Sequence, residues 1–212
     1  MNNRFGLYLI LTNPAAGYDA CARAAVAEKV ALLQLRMKNT PSERIIETGR
    51  RIRKITAGTA TRFIVNDDVY IAREVDADGV HLGQDDTSLP EAREIWNRPE
   101  KIFGLSTHNE EQAEKAGEVN PDYIGVGPVF PTPTKTPPDP ALGLKRMGTI
   151  IERAPLPAVA IGGINEKNLE EVLKAGAKNF AVVRAVNQSP TPQKAIRRLQ
   201  KIWEKIKKFE VN

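Results

Sequence analysis

Residues 63–82 read FIVNDDVYIAREVDADGVHL and contain the repeating unit of this chain. Two short apolar runs, at 63–66 and 79–82, enclose a segment in which Asp68 is positioned as a helix N-cap. Apolar runs of this length are typical of buried parallel strands, and the segment between them indicates a crossover helix. The stretch therefore predicts a β-strand, an α-helix and a second β-strand parallel to the first.

The same unit repeats along the whole chain. The predicted strands are 7–11, 31–36, 63–66, 79–82, 102–105, 123–126, 158–161 and 180–183. Predicted helices between them include 19–30, 42–56 with Ser42 as N-cap, 110–118, and 166–175 closed by Gly176. Eight strands and eight helices predict one domain over residues 1–212, an α/β TIM (β/α)8 barrel. An open doubly wound sheet is the alternative, although no glycine-rich fingerprint follows the first strand.

Composition limits the class of protein. A chain of 212 residues, 41% hydrophobic and 27% charged, can bury one sizeable core. The single cysteine, Cys21, excludes an internal disulfide and favours the cytoplasm, and we expect it to be a packing residue. The first apolar run is too short to span a membrane and lacks a signal-peptide cleavage pattern, so we expect no membrane association.

The net charge of +5 raises the question of a nucleic-acid partner. The most basic stretch, 194–208, carries Ile196, Leu199, Trp203 and Ile206 at spacings of three or four. This pattern is typical of an amphipathic helix with its lysines in water. Binding of RNA or anionic lipid is the alternative, but no aromatic residues lie between the lysines as stacking platforms. We expect small-molecule partners and no nucleic acid, and no oligomeric state follows from the pattern.

Polar clusters follow the apolar runs. Parallel strands of one sheet place their carboxyl ends on the same side, where α/β enzymes bind ligands. Gln34, Arg36 and Lys38 share one face of an extended segment by the period of two. Charges on a buried strand need partners, which an anionic ligand would supply. Salt bridges with acidic residues of neighbouring strands are the alternative.

Two aspartates follow consecutive predicted strands. Asp67 and Asp86 should therefore approach each other at the mouth of the barrel. Carboxylates without a histidine or cysteine cluster are hard oxygen ligands suited to Mg²⁺. The alternative is a capping role, which is common for Asp where a strand leads into a helix.

Two loops and two histidines complete the candidate site. Residues 127–143 contain six prolines together with Thr132, Thr134 and Lys135, which predicts an active-site loop rather than a rigid connector or a polyproline ligand. Gly162 and Gly163 would let a backbone approach a phosphate or form a tight turn, and Asn165 can cap the following helix. Of the two histidines, His81 fits a hydrogen-bonded core position, and His108 is better placed to reach a ligand.

Six segments together carry a family resemblance. They are QLRMK at 34–38, NDD at 66–68, DGVHLGQDD at 78–86, GLSTH at 104–108, DYIGVGPVFPTPTK at 122–135 and AIGGI at 160–164. In this order they resemble the thiamine phosphate synthase family, and the resemblance covers nearly the whole chain. It implies a TIM barrel that joins 4-amino-5-hydroxymethyl-2-methylpyrimidine diphosphate to 4-methyl-5-(2-phosphoethyl)thiazole. The implied products are thiamine phosphate and pyrophosphate, and the implied cofactor is Mg²⁺.

The resemblance also assigns residues by position. The implied pyrimidine diphosphate site comprises Gln34, Leu35, Arg36, Met37, Lys38, Asn66, Ser106 and Lys135. The implied catalytic residues among them are Arg36, Lys38, Ser106 and Lys135. Asp67 and Asp86 correspond to the magnesium ligands. The implied thiazole phosphate site comprises Thr132, Pro133, Thr134, Gly163 and the backbone at Val183 and Arg184.

Three positions depart from the family pattern or leave it ambiguous. Asp68 stands where a basic residue is common, Arg184 stands where many members have serine, and Asp85 lies beside Asp86. A related enzyme, the thiazole tautomerase, is the nearest alternative, with a histidine near position 108 as its acid or base. A non-catalytic barrel that binds a phosphorylated metabolite and a basic RNA-binding protein are the alternatives from other classes.

Overall fold

Eight parallel strands close into a barrel in the computed structural model, which describes residues 3–133 and 139–209. Each strand pairs with the next, and β1 pairs with β8, where Leu7 lies opposite Phe180. The strands are β1 Leu7–Leu11, β2 Leu32–Leu35, β3 Arg62–Asn66, β4 Gly79–Leu82, β5 Ile102–Thr107, β6 Tyr123–Val126, β7 Ala158–Ala160 and β8 Asn179–Val182. The predicted TIM barrel is confirmed.

Helices connect the strands on the outside. They are α1 Tyr18–Ala27, α2 Ser42–Thr56, α3 Val69–Glu74, α4 Leu89–Ile95, α5 Glu110–Val119, α6 Gly143–Arg153, α7 Leu169–Lys174, α8 Arg184–Asn187 and α9 Pro192–Phe209. The described ranges thus contain nine helices where the sequence predicted eight. The extra helix is α8, a single turn that ends before Pro192 begins α9.

The two faces of the strands are both buried, in different cores. Tyr8 and Ile10 of β1 point into the barrel with Leu32, Ile64 and other inward residues. The alternate residues of the strands face the helices and belong to the larger core. A strand covered on both faces shows no alternation of apolar and polar residues, which explains the continuous apolar runs in the sequence.

Several predicted boundaries and caps differ from the structure. Strand β5 continues to Thr107 because its polar residues still pair with β6. Ser42 is the first residue of α2 rather than its cap, a position that Pro41 takes without a side-chain bond. Asn165 does not cap α7. Its side chain accepts from Lys167 N, and the helix begins only after Asn168.

Side chains at the amino-terminal end of the barrel tie neighbouring strands together. Asp78, just before β4, accepts a hydrogen bond from Phe63 N of β3 at 2.8 Å. Asp122, just before β6, accepts from Phe103 N of β5 at the same distance. At the barrel seam, Asn179 of β8 accepts from Gly6 N at 3.0 Å. These side chains satisfy backbone donors that lie at the start of the sheet.

The last helix packs its apolar face against the barrel. Ile196 and Leu199 are fully buried, whereas Lys201 and Lys205 are exposed, so the predicted amphipathic helix is confirmed. Cys21 is also fully buried, and burial raises the pKa of its thiol to about 11. The thiol is therefore uncharged at neutral pH, which agrees with the expected packing role. Within the described ranges, no helix has the length and apolar character that a membrane span requires. The cytoplasmic location stays a prediction.

Candidate active site

The segment after β2 brings cationic side chains to the mouth of the barrel. The backbone N–H of Arg36 donates to Leu11 O at 2.9 Å, so the chain stays paired with β1 just beyond the strand. The Arg36 side chain is half-buried, and burial lowers the pKa of its guanidinium, while the charge of Asp67 acts in the opposite direction. Lys38 is exposed and forms an ion pair with Asp67. The guanidinium therefore already has an anion nearby, and a second anion at this mouth would favour its charged form.

Two aspartates face each other beside these cations, as the sequence predicted. Asp67 follows β3 in a left-handed conformation with φ of 66°, and its N–H donates to His81 O at 2.7 Å. Asp86 accepts a hydrogen bond from Gly83 N at 2.6 Å. Burial raises the pKa of the Asp86 carboxyl, and the neighbouring Asp67 charge raises it further. Two half-buried carboxylates in contact repel each other, and a cation between them would remove that repulsion.

The neighbours of the two aspartates have other roles. Asp68 accepts from Ile71 N at 2.9 Å and is the N-cap of α3, as the sequence predicted. Its carboxylate is therefore used at the helix start. Asp85 is exposed, whereas Asp86 is half-buried and lies against Asp67. The turn after β4 thus favours Asp86 over Asp85 as the partner of Asp67.

The acidic pair fits a magnesium ion. Among the described residues no third acidic, histidine or cysteine side chain joins Asp67 and Asp86 in a cluster that could enclose a metal. Mg²⁺ commonly uses one or two carboxylates and completes its shell with water and phosphate oxygens. The donor set therefore suits a cation that arrives with, or is shared by, a phosphorylated ligand.

A hydrogen-bonded chain crosses the interior of the barrel below this pair. Gln34 Nε2 donates to Tyr8 OH at 2.6 Å, and Tyr8 OH lies 2.9 Å from Tyr123 OH. Tyr123 OH lies 3.0 Å from His81 Nδ1, and His81 Nε2 lies 2.9 Å from Ser106 Oγ. The structure thus links Gln34 and Ser106, two predicted site residues, through His81 and through Tyr8 and Tyr123, two tyrosines that the sequence analysis did not assign to the site.

The sequence contained a weak signal for this chain. Tyr8 and Tyr123 interrupt the apolar residues of β1 and β6 at inward positions, where each phenol needs a buried partner. A Cβ added at Gly104 would lie 2.2 Å from Tyr123 Cζ, so only glycine leaves room for this ring. His81 was expected to be a hydrogen-bonded core residue, and its two ring contacts confirm that expectation.

The predicted loop after β6 is joined to the loop after β7. Val129 N donates to Ile161 O at 2.8 Å, and Phe130 N donates to Gly162 O at 3.1 Å. Gly162 has a φ of 102°, and a Cβ added there would lie 2.5 Å from Pro128 Cα. Gly162 and Gly163 therefore allow the loops after β6 and β7 to approach each other at backbone distance.

This contact places three of the six predicted thiazole phosphate residues around one loop. A Cβ added at Gly163 would lie 3.1 Å from Pro131 O, so Gly163 is next to the segment that contains Thr132 and Pro133. Thr132 is half-buried, and Pro133 is exposed. Thr134 and Lys135 lie outside the described residues.

The remaining predicted residues lie at or beside the carboxyl ends of the strands. Val183 follows β8 as the N-cap of α8, and Arg184 is the first, exposed residue of that helix. Asn66 is the last residue of β3 and is half-buried. Leu35 ends β2 and is buried against the helices, whereas Met37 is partly buried at the edge of the same core.

His108, the candidate acid or base of the tautomerase alternative, contacts the loop after β6. Its Nδ1 lies 2.7 Å from Gly127 O and 3.7 Å from a carboxylate oxygen of Asp139. Its backbone N–H donates to the Gln112 side chain at 2.7 Å. His108 therefore connects the end of β5 to Gly127 and Asp139, which lie on either side of the part of the loop outside the described residues.

Comparison with known proteins gives consistent matches. A family described as thiamine monophosphate synthase matches residues 7–186. The thiamine-phosphate synthase of Syntrophomonas wolfei is 36% identical over 208 residues, which cover 97% of this chain and 99% of that protein. The corresponding protein of Persephonella marina is 44% identical over 185 residues, 87% of this chain and 88% of that one.

A solved structure supports the same relationship. Thiamine phosphate pyrophosphorylase from Pyrococcus furiosus has a TM-score of 0.84 at 36% identity, covering 96% of this chain and 98% of that one. By contrast, a 3-hexulose-6-phosphate synthase has a TM-score of 0.66 at 16% identity, which is a likeness of fold alone.

Proposed function

The chain belongs to the thiamine monophosphate synthase family and is a transferase of thiamine biosynthesis, and we propose that it joins a pyrimidine diphosphate to a thiazole phosphate. The substrates are 4-amino-5-hydroxymethyl-2-methylpyrimidine diphosphate and 4-methyl-5-(2-phosphoethyl)thiazole, and the products are thiamine phosphate and pyrophosphate. One observation carries the proposal. Asp67 and Asp86 meet at the barrel mouth with Lys38 and Arg36 beside them. This combination of charges suits a magnesium diphosphate.

The side chains at the mouth would bind the leaving group. Asp67 and Asp86 would hold Mg²⁺, which when bound supplies positive charge to the departing diphosphate. The ammonium of Lys38 and the guanidinium of Arg36 are placed beside the acidic pair and can donate to the same phosphate oxygens. By family position Lys135 would be a third cation, in a part of the loop outside the described residues.

The proposed displacement is dissociative. The C–O bond to the diphosphate breaks first, leaving a pyrimidine methyl cation that its amino group stabilises, and the thiazole nitrogen then captures this cation. Such a reaction needs charge neutralisation at the leaving group and exclusion of water, with little demand for a general base. That requirement agrees with a site rich in cations in which the half-buried His81 has its pKa lowered to about 4, mainly by the partial removal of its ring from water.

The second substrate would bind on the opposite side of the mouth. The loop after β6 is anchored at Phe130 to Gly162, which keeps Thr132 close to Gly163. Backbone N–H groups in loops after strands seven and eight are common phosphate donors in barrels, and Val183 and Arg184 lie there. A thiazole phosphate held by these groups would face the pyrimidine site across the barrel.

The test is a reaction with both substrates, with and without Mg²⁺. We expect equal amounts of pyrophosphate and thiamine phosphate in the presence of Mg²⁺ and neither product after chelation. Absence of both products in every condition would refute the proposal. Isomerisation of a thiazole precursor without consumption of the diphosphate would instead identify a tautomerase.

A further inference from the structure

We propose that Tyr8, Tyr123 and His81 form a polar relay that fixes the direction of the Ser106 hydroxyl, so that it donates its hydrogen to a ligand at the barrel mouth. The three residues act through Ser106 and are positioning residues. The identity of the ligand, a diphosphate, rests on the proposed function. The direction of the hydrogen bonds in the relay is independent of that function.

The relay is buried along most of its length. Gln34, Tyr8 and Tyr123 each have 2% or less of their surface exposed. The Tyr123 ring stacks on the His81 ring with an interplanar angle of 21° and meets the Tyr8 ring edge-on at 85°. These contacts leave the two hydroxyls without access to water, so each must find its partners inside the chain.

Each link constrains the next, because each buried hydroxyl hydrogen needs an acceptor, and the acceptor beside Tyr8 is Tyr123 OH. The Gln34 amide N–H donates to Tyr8, so Tyr8 is free to donate its own hydrogen to Tyr123. Tyr123 can then donate to His81 Nδ1, which accepts only when it carries no proton. With Nδ1 accepting from Tyr123, the imidazole carries its proton on Nε2, the nitrogen that faces Ser106.

The last link leaves the serine hydrogen available. His81 Nε2–H donates to Ser106 Oγ at 2.9 Å, and the serine hydroxyl does not need its own hydrogen for this bond. Gln84 Nε2 also donates to Ser106 O, which holds the serine backbone in place. An anionic diphosphate at the mouth accepts hydrogen bonds, and a preoriented donor would favour its binding.

The opposite direction has a different chemical signature. If the Gln34 amide were reversed, each hydroxyl would donate the other way and the His81 proton would lie on Nδ1. Ser106 would then donate to His81 and have no hydrogen left for a ligand. The tautomer of His81 therefore reports the direction of the whole relay.

The first experiment measures this tautomer. The chain has two histidines, so ¹⁵N-imidazole NMR of the histidine-labelled protein at neutral pH gives two ring systems, and His81→Asn identifies the His81 signals. We expect a protonated Nε2 and an unprotonated Nδ1 in the wild type. A proton on Nδ1 would overturn the proposal. This measurement needs no substrate, so it stands whether or not the proposed reaction is observed.

The second experiment breaks the relay in its middle. Tyr123→Phe removes one hydroxyl and keeps the ring that stacks on His81. We expect the NMR spectrum to lose the single tautomer, and the Kd for pyrophosphate with Mg²⁺, measured by calorimetry, to rise about tenfold. The KM for thiazole phosphate should stay unchanged. Tyr70→Phe is the matched control, because Tyr70 is 58% exposed.

A double-mutant cycle separates positioning from a general structural role. If Tyr123 acts through Ser106, then Ser106→Ala should weaken pyrophosphate binding in the wild type but add little in the Tyr123→Phe background. Tyr8→Phe, which breaks the relay one step earlier, serves as a second variant if Tyr123→Phe unfolds. Additive effects in folded variants, or unchanged pyrophosphate affinity in both tyrosine variants, would contradict the proposal.

Discussion

At the amino-terminal end of the barrel, Asp78 and Asp122 each accept a hydrogen bond from a backbone N–H of the neighbouring strand. At the carboxyl-terminal end, Asp67 and Asp86 face each other, and burial and mutual repulsion raise the pKa of Asp86. The residue type is the same at both ends, and in all four cases it lies beside a strand end. The partners differ. At the base, each carboxylate accepts from a backbone N–H of the neighbouring strand. At the mouth, the two carboxylates lie against each other, although Asp86 also accepts from Gly83 N and Asp67 also pairs with Lys38.

This difference separates stability from function. Carboxylates that accept from otherwise unpaired N–H groups stabilise the fold, and their loss leaves a buried donor unsatisfied. Two carboxylates that repel each other lower the free energy of unfolding. Such pairs are typical of sites where a bound ligand uses the negative charge. Substitutions at the mouth should therefore reduce activity with little loss of stability, and substitutions at the base should do the reverse.

The largest expected effect is at Asp67. Asp67→Ala removes one of the two proposed metal ligands, so we expect turnover with saturating Mg²⁺ to fall by at least about 100-fold. The Tm should fall only slightly, because the loss of the Lys38 ion pair and the strain of alanine at a φ of 66° are partly offset by the loss of repulsion with Asp86. Pyrophosphate release and thermal denaturation measure the two quantities.

The adjacent residue provides the matched control. Asp68 has the same side chain but caps α3. Asp68→Ala should lower the free energy of unfolding by about 1 kcal/mol and leave turnover of the folded enzyme intact. Near-normal turnover in Asp67→Ala, or equal inactivity in both variants, would remove the distinction between the metal ligand and the cap.

The second prediction concerns Asp78, at the amino-terminal end of the barrel. Asp78→Ala leaves Phe63 N without its acceptor and removes one of the two aspartates that pair with Arg53, the other being Asp76. We expect a loss of about 2 kcal/mol in the free energy of unfolding, a decrease of roughly 4–8 °C in Tm. Turnover per folded molecule should be retained. Asp78→Asn, which keeps a side-chain oxygen as acceptor, should lose less stability, and an equal loss would show that the charge rather than the backbone bond matters.

The contrast between the two ends also shows what the sequence could and could not predict. The strands were found because their runs are short, apolar and regularly spaced, and the approach of Asp67 to Asp86 followed from consecutive strand ends. The stabilising role of Asp78 and Asp122 was not predicted, because an aspartate before a strand resembles any turn residue. The bond to the neighbouring strand becomes visible only once the register of the barrel is known.

The interior relay shows the same limit. Tyr8 and Tyr123 are 115 residues apart, and only closure of the barrel places their hydroxyls 2.9 Å from each other. The choice between Asp85 and Asp86 depended on a local turn, in which Gly83 N donates to Asp86. Composition and periodicity contain neither kind of information, since both depend on which side chains meet in three dimensions.

The third prediction adds the cation rather than removing a side chain. At ten times its Kd, Mg²⁺ should stabilise the folded protein by about 1.4 kcal/mol, because it binds the native acidic pair. Thermal denaturation with increasing Mg²⁺ measures this effect. Asp86→Asn should abolish it, whereas Asp122→Asn, at the other end of the barrel, should keep it. Equal stabilisation of both variants would place the bound Mg²⁺ elsewhere.

The smallest effect is expected at Arg184, which follows β8 at the mouth. Its guanidinium is exposed at the start of α8, where a phosphate would accept from it as well as from the backbone. An exposed ionic contact is screened by water, so we expect Arg184→Ala to raise the KM for thiazole phosphate only about threefold to fivefold, and less at high salt. Steady-state kinetics at two ionic strengths measure this change.

A matched control tests whether general surface charge explains that result. Arg23 is also exposed, on α1, and Arg23→Ala removes the same charge from a different surface. If Arg184 contacts the phosphate, its variant should raise the KM for thiazole phosphate while the Arg23 variant leaves it unchanged. If only the backbone N–H groups bind the phosphate, both variants will match the wild type. Backbone donors at β8 would then bind the ligand at the mouth, just as backbone donors of β3 and β5 bind aspartates at the base.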